Sequence, residues 1–96
     1  MAATPVTPGP GLVSKVTTGG TAVNAAGPNP NGGFITNPIG AGASLFVDPV
    51  GAANTVAGGT TFELQPGQTW DLIPGQTTPT SVNAVDDNHQ FSIVVY

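Results

Sequence analysis

Gly58-Gly59-Thr60-Thr61-Phe62-Glu63-Leu64-Gln65-Pro66-Gly67-Gln68-Thr69-Trp70-Asp71-Leu72-Ile73-Pro74-Gly75 carries the strongest structural signal in this chain. Its apolar groups alternate with polar ones, which is the period of a strand and not of a helix. Across residues 60–64, Thr60, Phe62 and Leu64 are expected on one face, with Thr61 and Glu63 on the other. Pro66-Gly67 suits the central positions of a type II turn, because Pro presets φ at the first and Gly accepts positive φ at the second. Residues 70–73 form the next expected strand, and Pro74-Gly75 repeats the turn. The tetrad Pro-Gly-Gln-Thr thus occurs at 66–69 and at 74–77. Turn chemistry alone accounts for it, so the expectation is two like turns in a β-meander rather than a repeated epitope. Trp70 lies in phase with Leu72 and is therefore expected in the core.

The same grammar extends along the chain. Residues 12–18 read as a strand ended by Gly19-Gly20, with 21–25 returning as its hairpin partner. A loop follows at Gly27-Pro28-Asn29-Pro30-Asn31-Gly32-Gly33, and short strands are expected at 33–36 and 44–48, the second stopped by Pro49. Residues 80–85 and 90–96 complete the set. The last carries apolar groups on both faces, Phe91, Ile93 and Val95 against Val94 and Tyr96, and so is expected centrally in a sheet. No dozen residues keep apolar groups at i, i+3, i+4 and i+7 without a Gly or Pro, so helix is not expected. About eight short strands separated by turns indicate an all-β fold, a small antiparallel β-sandwich or barrel. Residues 12–96 make a single β-domain. Residues 1–11 form an extended Pro/Gly-rich arm, since Pro5, Pro8 and Pro10 fix φ and lack amide donors. At polyproline spacing such an arm reaches roughly 30 Å.

Composition narrows function more than any motif does. Among 96 residues there is one cation, Lys15, and five acids, Asp48, Glu63, Asp71, Asp86 and Asp87, for a formal charge of −4. An ordinary soluble domain carries about a quarter charged residues. A surface this poor in charge is expected to lie against another surface. With a single cation, phosphate neutralisation of nucleic acid and docking on anionic lipid are not expected. Without cysteine there is neither a disulfide framework nor a thiolate metal site. The first eleven residues have no cationic head and no apolar run, so no signal peptide is expected there. Gly (14) and Pro (10) are abundant, but 39% hydrophobic residues in short aromatic-bearing runs argue for a folded domain.

Candidate sites are few. Asp86-Asp87-Asn88-His89 is the one cluster of polar ligand types, yet it lacks the alternating ligands, Gly and distal Glu of a calcium loop. Asp and Asn suit a hairpin loop for their own reasons, tolerance of left-handed backbone and local capping. His89 has no Ser or Cys nucleophile in a recognisable motif, and adjacent Asp86 and Asp87 point to opposite faces of an extended strand. The Gly pairs lack the following helix or Lys of a phosphate loop. The chain therefore reads as a non-enzyme with no cofactor. Trp70 with Phe62 offers the alternative of a carbohydrate-binding platform, assisted by Asn and Gln side chains such as Asn29, Asn31 and Gln68. The expected contact element is the arm, through Thr4, Pro5, Val6, Thr7, Pro8 and Pro10.

Leu45-Phe46-Val47-Asp48-Pro49-Val50-Gly51, the run Gly58 to Trp70, Thr80-Ser81-Val82-Asn83-Ala84 and Phe91 to Tyr96 together resemble small virion proteins of tailed bacteriophages. Gly32-Gly33-Phe34-Ile35-Thr36-Asn37-Pro38 is similar to the same group. These are capsid decoration or cement proteins and related head or fibre components. The resemblance implies a structural protein that assembles in the host cytoplasm and binds the outer capsid surface, stabilising the shell. It implies the major capsid protein or other virion proteins as partners and a homo-oligomer such as a trimer. The alternative it leaves is a glycan-binding module or a fibre or tail component that mediates surface attachment. No functional residue transfers by position.

Overall fold

The computed structural model describes residues 15–27 and 31–96. Among these residues nine short strands follow one another: β1 (Lys15–Val16), β2 (Val23–Ala26), β3 (Gly33–Thr36), β4 (Leu45–Asp48), β5 (Phe62–Leu64), β6 (Thr69–Asp71), β7 (Thr80–Ala84), β8 (His89–Gln90) and β9 (Ser92–Val95). Among the described residues there is no helix. The fold is all-β and antiparallel, as expected, and it is a sandwich-like pair of sheets rather than a closed barrel. One sheet has the order β2-β7-β4-β5 and the other β6-β3-β9, with β1-β8 as a separate two-stranded ribbon. Between them lie Ile35, Leu72 and Phe91 from one side and Leu45, Val47, Leu64, Val82 and Ala84 from the other, joined by Val16, Ala25 and Ala26. Burying a side chain of this size stabilises by about 1.5–3 kcal/mol.

The antiparallel registers give the sandwich two ends. The near end gathers the turn between β5 and β6, the loop from β3 to β4 and the exit of β7; the far end gathers the loops from β2 to β3, β4 to β5 and β6 to β7. Both Pro-Gly turns form as expected. Gly67 and Gly75 take φ of 90° and 74°, and each turn closes with an i to i+3 bond, Gln68 N to Gln65 O and Gln76 N to Ile73 O. Neither builds a meander, however, because β5 and β6 belong to different sheets, as do β6 and β7. Each lies where the chain crosses the sandwich.

Three further expectations are corrected. Of the expected strand 12–18, the described residues 15–18 are not the hairpin partner of 21–25. Lys15 and Val16 pair with Gln90 and His89, whereas Val23 and Asn24 pair with Val82 and Ser81. Gly19 is pressed so close to β7's exit that a Cβ there would stand 2.0 Å from the Val85 carbonyl oxygen, and Gly20 N donates to Ala84 O. The Gly pair thus anchors to β7 and redirects the chain between sheets. Residues 90–96 are not one central strand. The run breaks at Phe91, with Gln90 in the ribbon and β9 on the edge of the three-stranded sheet. In the expected 60–64 strand, Thr61 is buried and Phe62 exposed, because the ladder begins only at Phe62 and Thr61 is drawn aside by Asp48.

Both β4 and β7 are buried at every residue. Their inward groups meet the core, while Phe46, Asp48, Ser81 and Asn83 face the other way. Residues 49–61 run back over that outer face as a strap. Ala53 N donates to Ser81 Oγ at 3.0 Å, and Asn83 Nδ2 donates to Ala53 O at 2.9 Å. Phe46 is buried yet outside the central core cluster, which fits its place beneath this strap. Side chains of the sheet thereby satisfy strap backbone that a further strand would otherwise pair.

Candidate functional site

Two buried ionisable side chains organise the two ends. Asp48 ends β4 at the far end, where Pro49 stops the strand. Its Oδ1 accepts from Val50 N at 2.8 Å and Gly51 N at 3.0 Å, and its Oδ2 accepts from Thr60 Oγ1 at 2.8 Å and Thr61 Oγ1 at 2.9 Å. Burial by itself would raise this carboxyl's pKa. The bonds from Gly51, Val50, Thr60 and Thr61 outweigh it and hold the group below its ordinary value. Asp48 is thus a charged clasp closing the strap at both its start and its finish.

At the near end His89 lies buried on β8 and bonds Asn37 Oδ1 through Nε2 at 2.8 Å. Asn37 gives its amide hydrogens to Ala43 O and Leu64 O, at 3.0 and 2.8 Å, so its oxygen is left to accept and His89 carries a proton on Nε2. The Asn37 backbone bonds Gln68 O and Gly67 N as well. Burial lowers the imidazole's pKa, and the opposing pull of the Asp86 carboxylate does not restore it. Beside His89 is a shallow cleft of about 320 Å³ between Pro38, Gly40 and Ala41 on one wall and Asp86 to Gln90 on the other.

The Asp86-Asp87-Asn88-His89 segment therefore forms a cleft wall, though it links β7 to β8 in the ribbon and is not a hairpin loop within one sheet. Asn88 takes φ of 56°, the left-handed conformation expected of an Asn there. Asp87 Oδ1 accepts from Gly19 N at 2.8 Å, which ties it to the β1–β2 turn. Among the described residues no three His, Asp or Glu side chains are grouped to hold a metal ion. His89's Nε2 proton is committed to Asn37, and the residues lining the cleft include no Ser, Thr or Cys.

Phe62 and Trp70 come together, with ring centroids 5.8 Å apart and planes tilted by 34°. They stand on β5 and β6, the adjoining edges of the two sheets. Trp70 is half-buried against the core rather than enclosed by it, and Phe62 is 42% exposed. The core expectation for Trp70 thus holds only in part. The two Pro-Gly-Gln-Thr tetrads sit at opposite ends of β6 and make no joint surface. The arm residues Thr4, Pro5, Val6, Thr7, Pro8 and Pro10 lie outside the described residues, as does Asn29.

What remains is an exposed apolar surface. Ile39, Val50, Val56, Phe62, Ile73, Val85 and Tyr96 are all exposed large hydrophobics on a chain with six charged residues. Sequence reasoning anticipated the neutrality but missed where these side chains stand and missed the strap. Its available signal was polar Ser81 and Asn83 inside an apolar strand and Asp48 three residues before Gly51, the spacing of a side-chain-capped turn. Comparison with family models, curated proteins and solved structures gives no match.

Proposed function

We propose that this chain is a structural virion protein that binds the outer surface of a phage capsid and stabilises the shell through protein–protein contacts, without catalysis. The observation that carries the reading is the exposure, among the described residues, of seven large apolar side chains on a nearly charge-free domain. Single exposed hydrophobics are ordinary, but their combination with so little charge favours a surface used against protein. The sequence resemblance to capsid decoration proteins supplies the partner. Purified virions should contain the chain at a stoichiometry comparable to the major shell protein, and isolated chain should rebind stripped, expanded capsids. Virions without the chain, together with no rebinding, overturn the proposal. Deleting residues 1–11 tests the arm as the contact element: unchanged capsid binding removes the arm from the account.

A second reading is favoured by the partly exposed Phe62–Trp70 pair, whose apolar ring faces suit the apolar face of a sugar. Here the domain is a carbohydrate-binding module that mediates surface attachment. A glycan array should then show binding that Trp70→Ala abolishes while far-UV circular dichroism stays unchanged. No glycan bound by the wild type sinks this reading.

A further inference from the structure

One wall of the cleft beside His89 is rich in hydrogen-bond acceptors. Asp86 and Asp87 are exposed there, and His89, only 5% exposed, lines the same wall. Asn37 gives both its amide hydrogens away, which fixes the imidazole proton on Nε2. Neutral His89 therefore keeps a lone pair on Nδ1, and that atom has no hydrogen-bond partner among the described residues. Asp87 Oδ1 accepts from Gly19 N at 2.8 Å. Asp87 Oδ2 and both oxygens of Asp86 have no partner among the described residues.

Both walls are held in place. Asn88 N donates to Thr17 O, and Gly19 ties down Asp87. Across the cleft Ala41 N donates to Pro38 O and Asn37 Nδ2 to Ala43 O. Acceptors fixed in this way lose little conformational freedom when a donor arrives.

The occupant such a wall calls for brings several donors and a positive charge. Lys15, the chain's one cation, is not among the residues lining the cleft, and the sequence has no arginine. A second copy would therefore bring mainly acids to this wall. A single metal ion is a poor match, because among the described residues no three His, Asp or Glu side chains are grouped to hold one. Acceptors spread along a wall suit the planar fork of five N–H donors of a guanidinium better than a compact ammonium. The cleft, about 320 Å³, is at the small end of ligand clefts, which run from roughly 300 to 1,000 Å³, and so suits one side chain. Ile39, between Pro38 and Gly40 of the facing wall, is 87% exposed, and Val85, next to Asp86, is 65% exposed. A protein carrying the guanidinium can cover these two side chains, whereas a free small cation leaves them in water.

We propose that this cleft receives an arginine side chain of a different protein, whose guanidinium donates to the Asp86 and Asp87 carboxylates and to His89 Nδ1. This deepens the structural reading above and rests on it only for the premise that the surface works through protein contact.

The probe is N-acetyl-arginine amide, added at millimolar concentrations to the full chain labelled with nitrogen-15. Saturable amide shifts are expected at residues 86–90 and at Gly40 and Ala41, together with a shift of the His89 Nδ1 resonance. The corresponding lysine compound should bind at least about fivefold more weakly. The double variant Asp86→Asn/Asp87→Asn keeps an acceptor for Gly19 N and should unfold in urea like the wild type. It should bind the arginine compound, and stripped, expanded capsids, at least about tenfold more weakly. No saturable shift at the cleft overturns the inference, as do equal shifts around the exposed acids Glu63 and Asp71. Equal binding of the lysine compound, or undiminished binding by the double variant, also overturns it. Zinc ion alone saturating the same resonances would overturn it in favour of a metal site. Capsid binding that is equal in wild type and double variant would overturn this inference and spare the proposed function. A chain that binds the arginine compound at the cleft but binds no capsid would do the reverse.

Discussion

Asp48 and His89 show two ways of placing an ionisable group in a small neutral domain. Asp48 keeps its charge, because two backbone amides and two hydroxyls converge on its oxygens and replace the water it lost. His89 surrenders its charge, because burial outweighs the pull of Asp86. A charge in the interior is tolerated where several donors are already positioned; with one amide oxygen for its Nε2 proton, the neutral form is the cheaper one. Both groups tie a loop to the sandwich, so the contrast is measurable.

The largest effect is expected from Asp48→Ala, which leaves two hydroxyls and two amides at the strap without their acceptor. A loss of about 3 kcal/mol in urea unfolding is anticipated, and a loss under about 1 kcal/mol would show that the clasp is not what closes the strap. Asn37→Ala removes the partner of His89, Ala43 and Leu64 and should cost about 2 kcal/mol. Ser81→Ala or Asn83→Ala each release one attachment of Ala53, with an expected loss of about 1 kcal/mol. Amide exchange should then rise at Ala53 in Ser81→Ala while the near end stays protected.

Acidification should separate the two groups by window. His89's folded pKa lies below the ordinary histidine value of about 6.5, so in this range the unfolded chain takes up the proton first. Its contribution to stability is complete above about pH 6.5 and is lost as pH falls through the folded value. Asp48's folded pKa lies below the ordinary value of 3.8, so its contribution persists in weak acid and disappears only as pH drops through that lower value. Replacing His89 with Leu should abolish the first loss and leave the second. If stability is flat from pH 7 to 4.5 in the wild type, the assignment of His89 as a buried neutral group is wrong.

Individual strands and turns were legible because they depend on neighbours in sequence. Leu45–Asp48, Gly33–Thr36 and Thr80–Ala84 lie where the β-branched and aromatic runs put them, within a residue. Pairing was not legible. Alternation tells which face a side chain takes but not which strand lies beside it, so Gly19-Gly20 read as a hairpin although it anchors to Val85 and Ala84 in another part of the fold. The strap was invisible for a related reason. Ser81 and Asn83 look like solvent-facing positions until residues 49–61 are known to return over them. Of the candidate site, the scarcity of charge and the aromatic types could be read directly, and the pairing of Phe62 with Trp70 was raised as an alternative. Their geometry required the fold.

By itself, then, the order of residues determined an all-β chain with Pro-Gly turns, no basic patch and little charge of any kind. Those properties are local or additive, and need only composition and spacing. Tertiary structure decided that the last apolar run divides at Phe91 between ribbon and sheet edge. It also decided that Asp48 closes the strap across 13 residues to Thr61, and that His89 reaches Asn37 from 52 residues away. Contacts over such separations depend on which strands pair, and that choice is made by the packing of both sheets at once, not by any one segment.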